Sequence, residues 1–544
     1  MEKIYKGIII DVIGRRQFKG EILVKDGSIQ LVRECEHEFT GFILPGLVDA
    51  HVHIESSMTV PSSFARMVVS RGTVAVVSDP HEIANVMGEE GINFMIENAR
   101  SVPLKVYFGV PSCVPATPFE SSGCVFDEAA VDRLLSRNDL YFLSEMMNFP
   151  GVVNEFPEVI GKIKSAQKHK KLIDGHAPGL RGNDLKKYVQ AGISTDHECF
   201  SYDEAVEKIQ LGMKILIREG SAAKNFDALF SLIDEYPDQV MLCTDDSHPD
   251  TLLDEGHIDK LIKKGLEKGL DLYNILKAAV VNPVHHYKLN VGLLQKGDPA
   301  DFIIVDDLHN FEVQQTVIDG VMVYDNGSVL FAENESKAIN LFNRKEITTN
   351  DLILKSEKGK IRVITVTDGE LVTGQEWHEP LVKNGSVVSD TDRDILKLVV
   401  MSRYKNEPVQ VGFIKNTGLK KGAIASSIAH DSHNIIAVGV SDPDIVSVVN
   451  KLIENKGGIV VGDTSGQLAL ELEVAGLMTR KNGEEVAVLY NHLIERSREF
   501  GSRLGSPFMT IAFMSLLVIP ELKLGDKGLF DVNKFDFVDV FVKE

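Results

Sequence analysis

Apolar and polar positions along the chain change texture three times. The first forty residues hold short apolar runs, Gly7–Ile13 and Glu21–Val24, with Asp26-Gly27 as a hairpin-type turn before Ile29. A similar texture returns in Gly297–Asp307, in Val317–Tyr324 with Asp319-Gly320 inside it, and at Asn326-Gly327. The two pieces are expected to form one small split β-sandwich domain, residues 1–45 and 289–343, with the intervening chain inserted into it.

That intervening chain, residues 46–288, alternates regularly. Apolar, β-branched runs predict strands over Ile43–Val52, Thr73–Ser78, Leu104–Val110, Leu140–Ser144, Lys171–Asp174, Ile193–Asp196, Lys214–Ile217 and Val240–Thr244. Helical composition or period predicts helices over Ser62–Ser70, Gly88–Ala99, Asp127–Leu135, Glu158–His169, Asp184–Gln190, Tyr202–Leu211, Asn225–Glu235 and Ile258–Lys268. Eight strand–helix units of this length match an α/β fold of the (β/α)8 barrel type, with a doubly wound open sheet as the alternative. From about Arg344 the texture predicts a separate α+β domain, residues 344–544, a possible cap over the barrel mouth. Its expected elements include strands Ile361–Thr367 and Val409–Ile414, turns at Asn384-Gly385 and Asn482-Gly483, and helices Asp392–Met401 and Asp444–Asn455.

Charge narrows the partners. Against 58 Lys and Arg stand 79 Asp and Glu, a net charge of −21. Such a chain is a poor match for a phosphate backbone or an anionic membrane, so neither nucleic acid nor membrane is expected, whereas a small neutral substrate fits. No stretch of about 18 apolar residues is free of charges, so no transmembrane helix is expected. Five cysteines without a C-x-x-C pair fit a reduced, cytoplasmic chain.

The expected strand ends carry the chemistry. The first ends D-A-H-V-H, and alternation puts His51 and His53 on one face. The fourth ends at Glu145, the fifth at His176, the sixth at His197 and the eighth at Asp245 and Asp246. Catalytic groups of a barrel sit at these ends. Four imidazoles and two carboxylates can hold two divalent cations, one carboxylate bridging, and a shared water would ionise near neutral pH.

With these residues in place, L-P-G-L-V-D-A-H-V-H, His176, His197, the T-D at Asp245 and G-D-P-A-D-F-I-I-V-D resemble the amidohydrolase superfamily of metal-dependent barrel hydrolases. V-S-D-P-H-E-I-A-N-V, S-E-M-M-N, D-G-H-A-P-G and A-H-D-S-H-N resemble, more narrowly, its bacterial adenine deaminase family. The resemblance implies hydrolysis of adenine to hypoxanthine and ammonia, a step of purine salvage, by hydroxide held at two divalent metal ions, Mn or Fe ahead of Zn. It implies that His51, His53 and Asp245 bind one ion, that His176 and His197 bind the other, and that Glu145 bridges them. Deaminases of guanine or cytosine, cyclic-amide hydrolases and a non-catalytic scaffold are the alternatives.

Roles follow from the chemistry. Asp245, at the metal with His197, is the natural acceptor of the hydroxide proton. Glu82, in D-P-H-E, is the candidate proton shuttle to the ring nitrogen. His81, Arg218, Glu219 and Ser221 are candidate contacts to the purine, and Asp79 and Asp246 are candidates for orienting ligand imidazoles. His430, Asp431, Ser432 and His433 belong to a pocket-completing segment, an accessory metal site or a solvated loop, and His430 and His433 are candidate substrate contacts. A homodimer is the expected assembly.

Overall fold

The computed structural model describes residues 2–36, 39, 41–221, 223–332 and 336–542. The chain divides into two compact units. One comprises Met1–Pro80, Asn93–Cys113 and Phe126–Ser336; the other comprises His81–Ile92, Val114–Val125 and Lys337–Glu544. Two segments inside the expected barrel range, His81–Ile92 and Val114–Val125, thus cluster with the second unit.

The first unit contains a closed ring of eight parallel strands. Leu47–Val52 pairs with Thr73–Ser78, which pairs with Lys105–Phe108. A bridge from Val110 to Leu143 leads to Phe142–Met146 and on to Leu172–Gly175. Ser194 N donates to Ile173 O at 2.9 Å, joining Thr195–Asp196, and Lys214–Arg218 and Val240–Cys243 follow. The ring closes where Asp245 N donates to His51 O (3.0 Å) and His53 N to Asp245 O (3.3 Å). This is the (β/α)8 barrel, not the open sheet. Near-continuous burial of these strands explains why they read as apolar runs without alternation.

The expected first strand is in fact two. Phe42–Pro45 belongs to another sheet and Leu47–Val52 to the barrel. Gly46 separates them, and a Cβ there would lie 2.3 Å from the Val74 side chain. The other sheet has eight strands in the order Ser328–Val329, Val321–Asp325, Val313–Ile318, Phe302–Val305, Phe42–Pro45, Glu2–Asp11, Arg16–Lys25 and Ser28–Glu34. The two β-rich pieces meet where Phe42–Pro45 runs antiparallel to Phe302–Val305. Ile9, Ile22, Ile29, Ile43, Phe302 and Val317 form its core. The expected run Val317–Tyr324 is a hairpin turning at Asp319-Gly320.

The second unit is built on a nine-stranded mixed sheet with Ile395–Met401 near its middle. Helix Asp442–Asn455 packs Ile445, Val448, Val449 and Leu452 against it. Two expectations fail here. Asp392–Met401 is not a helix: Ile395–Met401 is a strand buried at every position. Asn482-Gly483 is not a turn, because Asn482 caps helix Gly483–Glu499 by accepting from Glu485 N. Among the described residues no helix is long and apolar enough to cross a membrane.

Candidate metal centre

Within the first unit, the C-terminal strand ends bring histidine nitrogens and carboxylate oxygens together in a buried cluster. His51 Nε2 and His53 Nε2 are 3.2 Å apart. Asp245 Oδ1 lies 3.5 Å from the first and 3.2 Å from the second. His53 Nδ1 faces the Asp79 carbonyl at 3.1 Å; donation there leaves Nε2 with its lone pair pointing into the cluster. Asp79 therefore meets a ligand imidazole through its backbone.

Glu145 faces two ways. Its Oε1 is 3.2 Å from His53 Nε2, while its Oε2 is 2.8 Å from His176 Nδ1 and 3.4 Å from His197 Nε2. The two imidazole nitrogens are 3.3 Å apart. Two sets of donors, one on each side of a single carboxylate, suit two cations. The geometry supports this: donor atoms bound at about 2.1 Å to one cation stand roughly 3.0–3.4 Å apart at the angles of octahedral or tetrahedral sites. The electrostatics agree. Burial opposes a charge on His176, yet Glu198 and Glu145 pull its imidazole up to about 9, so the carboxylate-rich cluster draws in positive charge. A divalent cation would supply that charge in place of the proton.

Sequence reasoning missed the groups behind this layer. Glu198 Oε1 lies 3.5 Å from His197 Nε2 and 3.7 Å from His176 Nδ1. Its only sequence signal is its place after His197 in T-D-H-E. Arg218 Nη1 contacts both Glu198 Oε1 and Asp245 Oδ2, and its Nε donates to Ala223 O at 2.7 Å. The guanidinium expected at the purine is thus engaged by carboxylates. Burial opposes ionisation of Asp245, but Arg218, with His51 and His53, holds its carboxyl well below the usual range.

Two buried polar knots fix the ligand strands. Asp49 Oδ1 accepts from His51 N (3.2 Å) and Thr244 N (3.1 Å), tying the first strand to the last, and Asp49 Oδ2 faces His257 Nε2 at 3.0 Å. Lys208, fully buried, donates to Asp196 Oδ2 (2.9 Å), Glu204 Oε1 (2.7 Å) and Ala177 O (2.7 Å). Asp196 in turn accepts from Ala177 N and Glu198 N, so this knot grips the neighbours of His176 and His197.

The remaining candidates lie elsewhere. Asp246 Oδ1 accepts from Ser56 Oγ and stays outside the donor cluster, which leaves Asp245 as the carboxylate facing the imidazoles. Glu219 pairs with Lys264 at 2.7 Å. Ser221 Oγ donates to Thr251 and accepts from His248 N, a role within the loop.

In the second unit, Glu82 sits in the first turn of helix His81–Met87. His430 Nδ1 is 3.0 Å from Glu82 Oε1, His81 Nε2 is 3.4 Å from it, and His433 Nε2 contacts Oε2. His430, Asp431, Ser432 and His433 are all buried, which overturns the solvated-loop reading. The two histidines that are candidate substrate contacts stand against Glu82. His81, Glu82 and Asp431 could themselves hold a cation. The five cysteines are free and lie outside the donor groups.

Residues 42–323 match the amidohydrolase family and residues 370–536 match the adenine deaminase C-terminal domain. The chain is 68% identical to an adenine deaminase of Methanosarcina mazei, covering 100% of both chains. It is 48% identical to an adenine deaminase of Parabacteroides distasonis, covering 99% of both. Among solved structures it is similar to a beta-aspartyl dipeptidase of Fervidobacterium islandicum, at 19% identity and TM-score 0.48, over 62% of this chain and 100% of that one.

Proposed function

The chain belongs to the adenine deaminases of the amidohydrolase family, and from that premise we propose that it hydrolyses adenine to hypoxanthine and ammonia at the barrel donor cluster. The observation that carries the reading is full-length identity to adenine deaminases together with a buried His/carboxylate set able to hold cations. His51, His53 and Asp245 would hold one divalent cation and His176 and His197 the other, with Glu145, whose two oxygens face both sets, contributing to each. Mixed imidazole and carboxylate donors accept Mn, Fe or Zn, and membership of the adenine deaminases is what puts Mn or Fe ahead. When bound, such cations would lower the pKa of a water and so supply a nucleophile near neutral pH.

The chain's own groups move the protons. Addition of water to the amino-bearing ring carbon forms a C–O bond and requires one proton on the adjacent ring nitrogen. Glu82, four residues past Ser78 at the end of the second barrel strand, is assigned to accept the first water proton and deliver it there. Asp245, assigned to the hydroxyl proton, takes it to the amine. The C–N bond then breaks, and ammonia leaves as the carbonyl forms. Arg218 keeps Asp245 ionised for this role.

The assay is ammonia release by the Mn-loaded chain with adenine, guanine, cytosine and adenosine offered in parallel. Turnover of adenine alone is expected; turnover of another base instead refutes the substrate assignment. Five free thiols fit a reducing compartment, so the cytoplasm is the proposed location. A homodimer is the proposed assembly, read by light scattering.

A further inference from the structure

The C-terminal H-D-S-H segment has no part in the scheme above, yet it is buried and directed at one of its carboxylates. We propose that His430 and His433 are positioning residues for Glu82: each engages a different oxygen of its carboxylate and together they orient it as the proton carrier. The proposal rests on the assignment of Glu82 to the ring-nitrogen proton.

The geometry is specific. Glu82 is 3% exposed, with His430 Nδ1 at 3.0 Å from Oε1 and His433 Nε2 against Oε2. Neither imidazole is loosely held. The His430 ring stacks on Phe513 at 4.6 Å and 11°. Arg403 Nη1 donates to His433 O (3.3 Å), Tyr404 OH to Ser432 O (2.7 Å), and His433 N to Ala429 O (2.7 Å). Residue 433 adopts a left-handed conformation, φ 51°, which a histidine keeps only where its surroundings fix it. A turn pinned at three points delivers two imidazoles to one carboxylate.

The charge state follows. Burial alone would leave Glu82 a neutral acid, unable to accept a proton. Against that burial, His430, His433 and His81 hold its carboxyl well below the ordinary range. Burial pushes the His433 imidazole down, with Glu82 pulling the other way. Besides His81, which faces Glu82 Oε1 at 3.4 Å, and Arg403, which stands on the His433 carbonyl, acidic groups face the trio. Asp431 Oδ1 lies 3.7 Å from His430 Nδ1. Glu120, from Val114–Val125, is held well above the usual range by burial and by Asp431 and Asp526, so it stays neutral. Three imidazoles, two of them from this segment, therefore keep Glu82 an acceptor.

The experiment uses the full-length, Mn-loaded enzyme and the variants Glu82→Gln, His430→Gln and His433→Gln. It measures kcat and KM for adenine from pH 5 to 9, metal per chain and melting temperature. Both histidine variants are expected to keep metal content and to hold KM within about twofold. Their kcat is expected to fall by roughly tenfold to a hundredfold. The acid limb of the kcat profile should move up by about one pH unit or more, since burial remains while the imidazole's pull is lost. An inactive Glu82→Gln beside histidine variants with unchanged kcat and acid limb overturns this inference. A fully active Glu82→Gln overturns the reading beneath it. If a glutamine variant melts well below the parent, histidine-labelled wild-type and Glu82→Gln enzymes carry the test. Two imidazole resonances are expected to shift between them, and none shifting overturns the proposal.

Discussion

Replacing Lys208 by Met removes the ammonium that two buried carboxylates share while keeping most of the side chain's length. Lys208, Asp196 and Glu204 are each about 1% exposed or less, and the ammonium meets their oxygens at 2.9 and 2.7 Å. Breaking a buried ion pair by deleting one partner costs about 3–5 kcal/mol, because the remaining charge is stranded. The first unit spans about 310 residues. At about 2.1 cal/mol/K of unfolding entropy per residue, that cost lowers its Tm by roughly 5–8 °C. Scanning calorimetry of the metal-free protein is the assay, since bound cations would add their own stabilisation. The pH dependence has a definite sign. Burial opposes the charge on Asp196, but Lys208 and His197 hold its carboxyl low, so its contribution is whole above the unfolded value and lost as pH falls through the folded one. The deficit of Lys208→Met should thus be largest above about pH 5 and shrink in acid. Lys208→Met with Glu204→Gln leaves one stranded carboxylate fewer and should recover part of the loss. A single variant melting within about 1 °C of the parent at pH 7 refutes the reasoning.

Three further outcomes are expected. Asp245→Asn should lose at least one metal per chain by elemental analysis, whereas Asp246→Asn, whose partner is Ser56, should keep full content and most turnover. Lys523, bonded to the Leu371 and Phe513 carbonyls, is pushed down to about 7 by burial. Its penalty is full below pH 7 and fades toward pH 10, so Lys523→Met should raise Tm at pH 6 and lose that advantage by pH 10; a pH-independent difference rules this out. Stripping the cations should lower the Tm of the first unit, and restoring Mn at about a hundred times its Kd should return about 2.7 kcal/mol; an unchanged melt means that the donor cluster is not the binding site.

The site was legible because five of the eight barrel strands end in residues whose chemistry differs from the apolar run before them. His51, His53, Glu145, His176, His197 and Asp245 stand out in that way, and the structure gathers them. What lies behind them was not. Glu198 follows a histidine already noticed, and nothing local separates it from a cap. Arg218 at a barrel mouth reads equally as a substrate contact or an ion-pair partner; only the positions of Glu198 and Asp245 decide. Ile395–Met401 failed for another reason. A strand buried on both faces has no alternation, so seven apolar-rich residues after an acidic cluster look like a capped helix. The burial of His430 and His433 was invisible because it depends on Glu82, nearly 350 residues earlier in the chain.

Ring closure sets an order of assembly on the ribosome. The seam that completes the barrel joins Leu47–Val52 to Val240–Cys243 through Asp49, Thr244 and Asp245. Strand Phe42–Pro45 gains its antiparallel neighbour only with Phe302–Val305. At about 5–20 residues per second, roughly 10–40 s pass between synthesis of the first histidine pair and of Asp245. During that interval Glu145, His176 and His197 are all synthesised, while the edge that carries His51 and His53 still lacks its closing strand. The His51–His53 pair, nearest the N-terminus, is therefore the last to gain its carboxylate partner, Asp245.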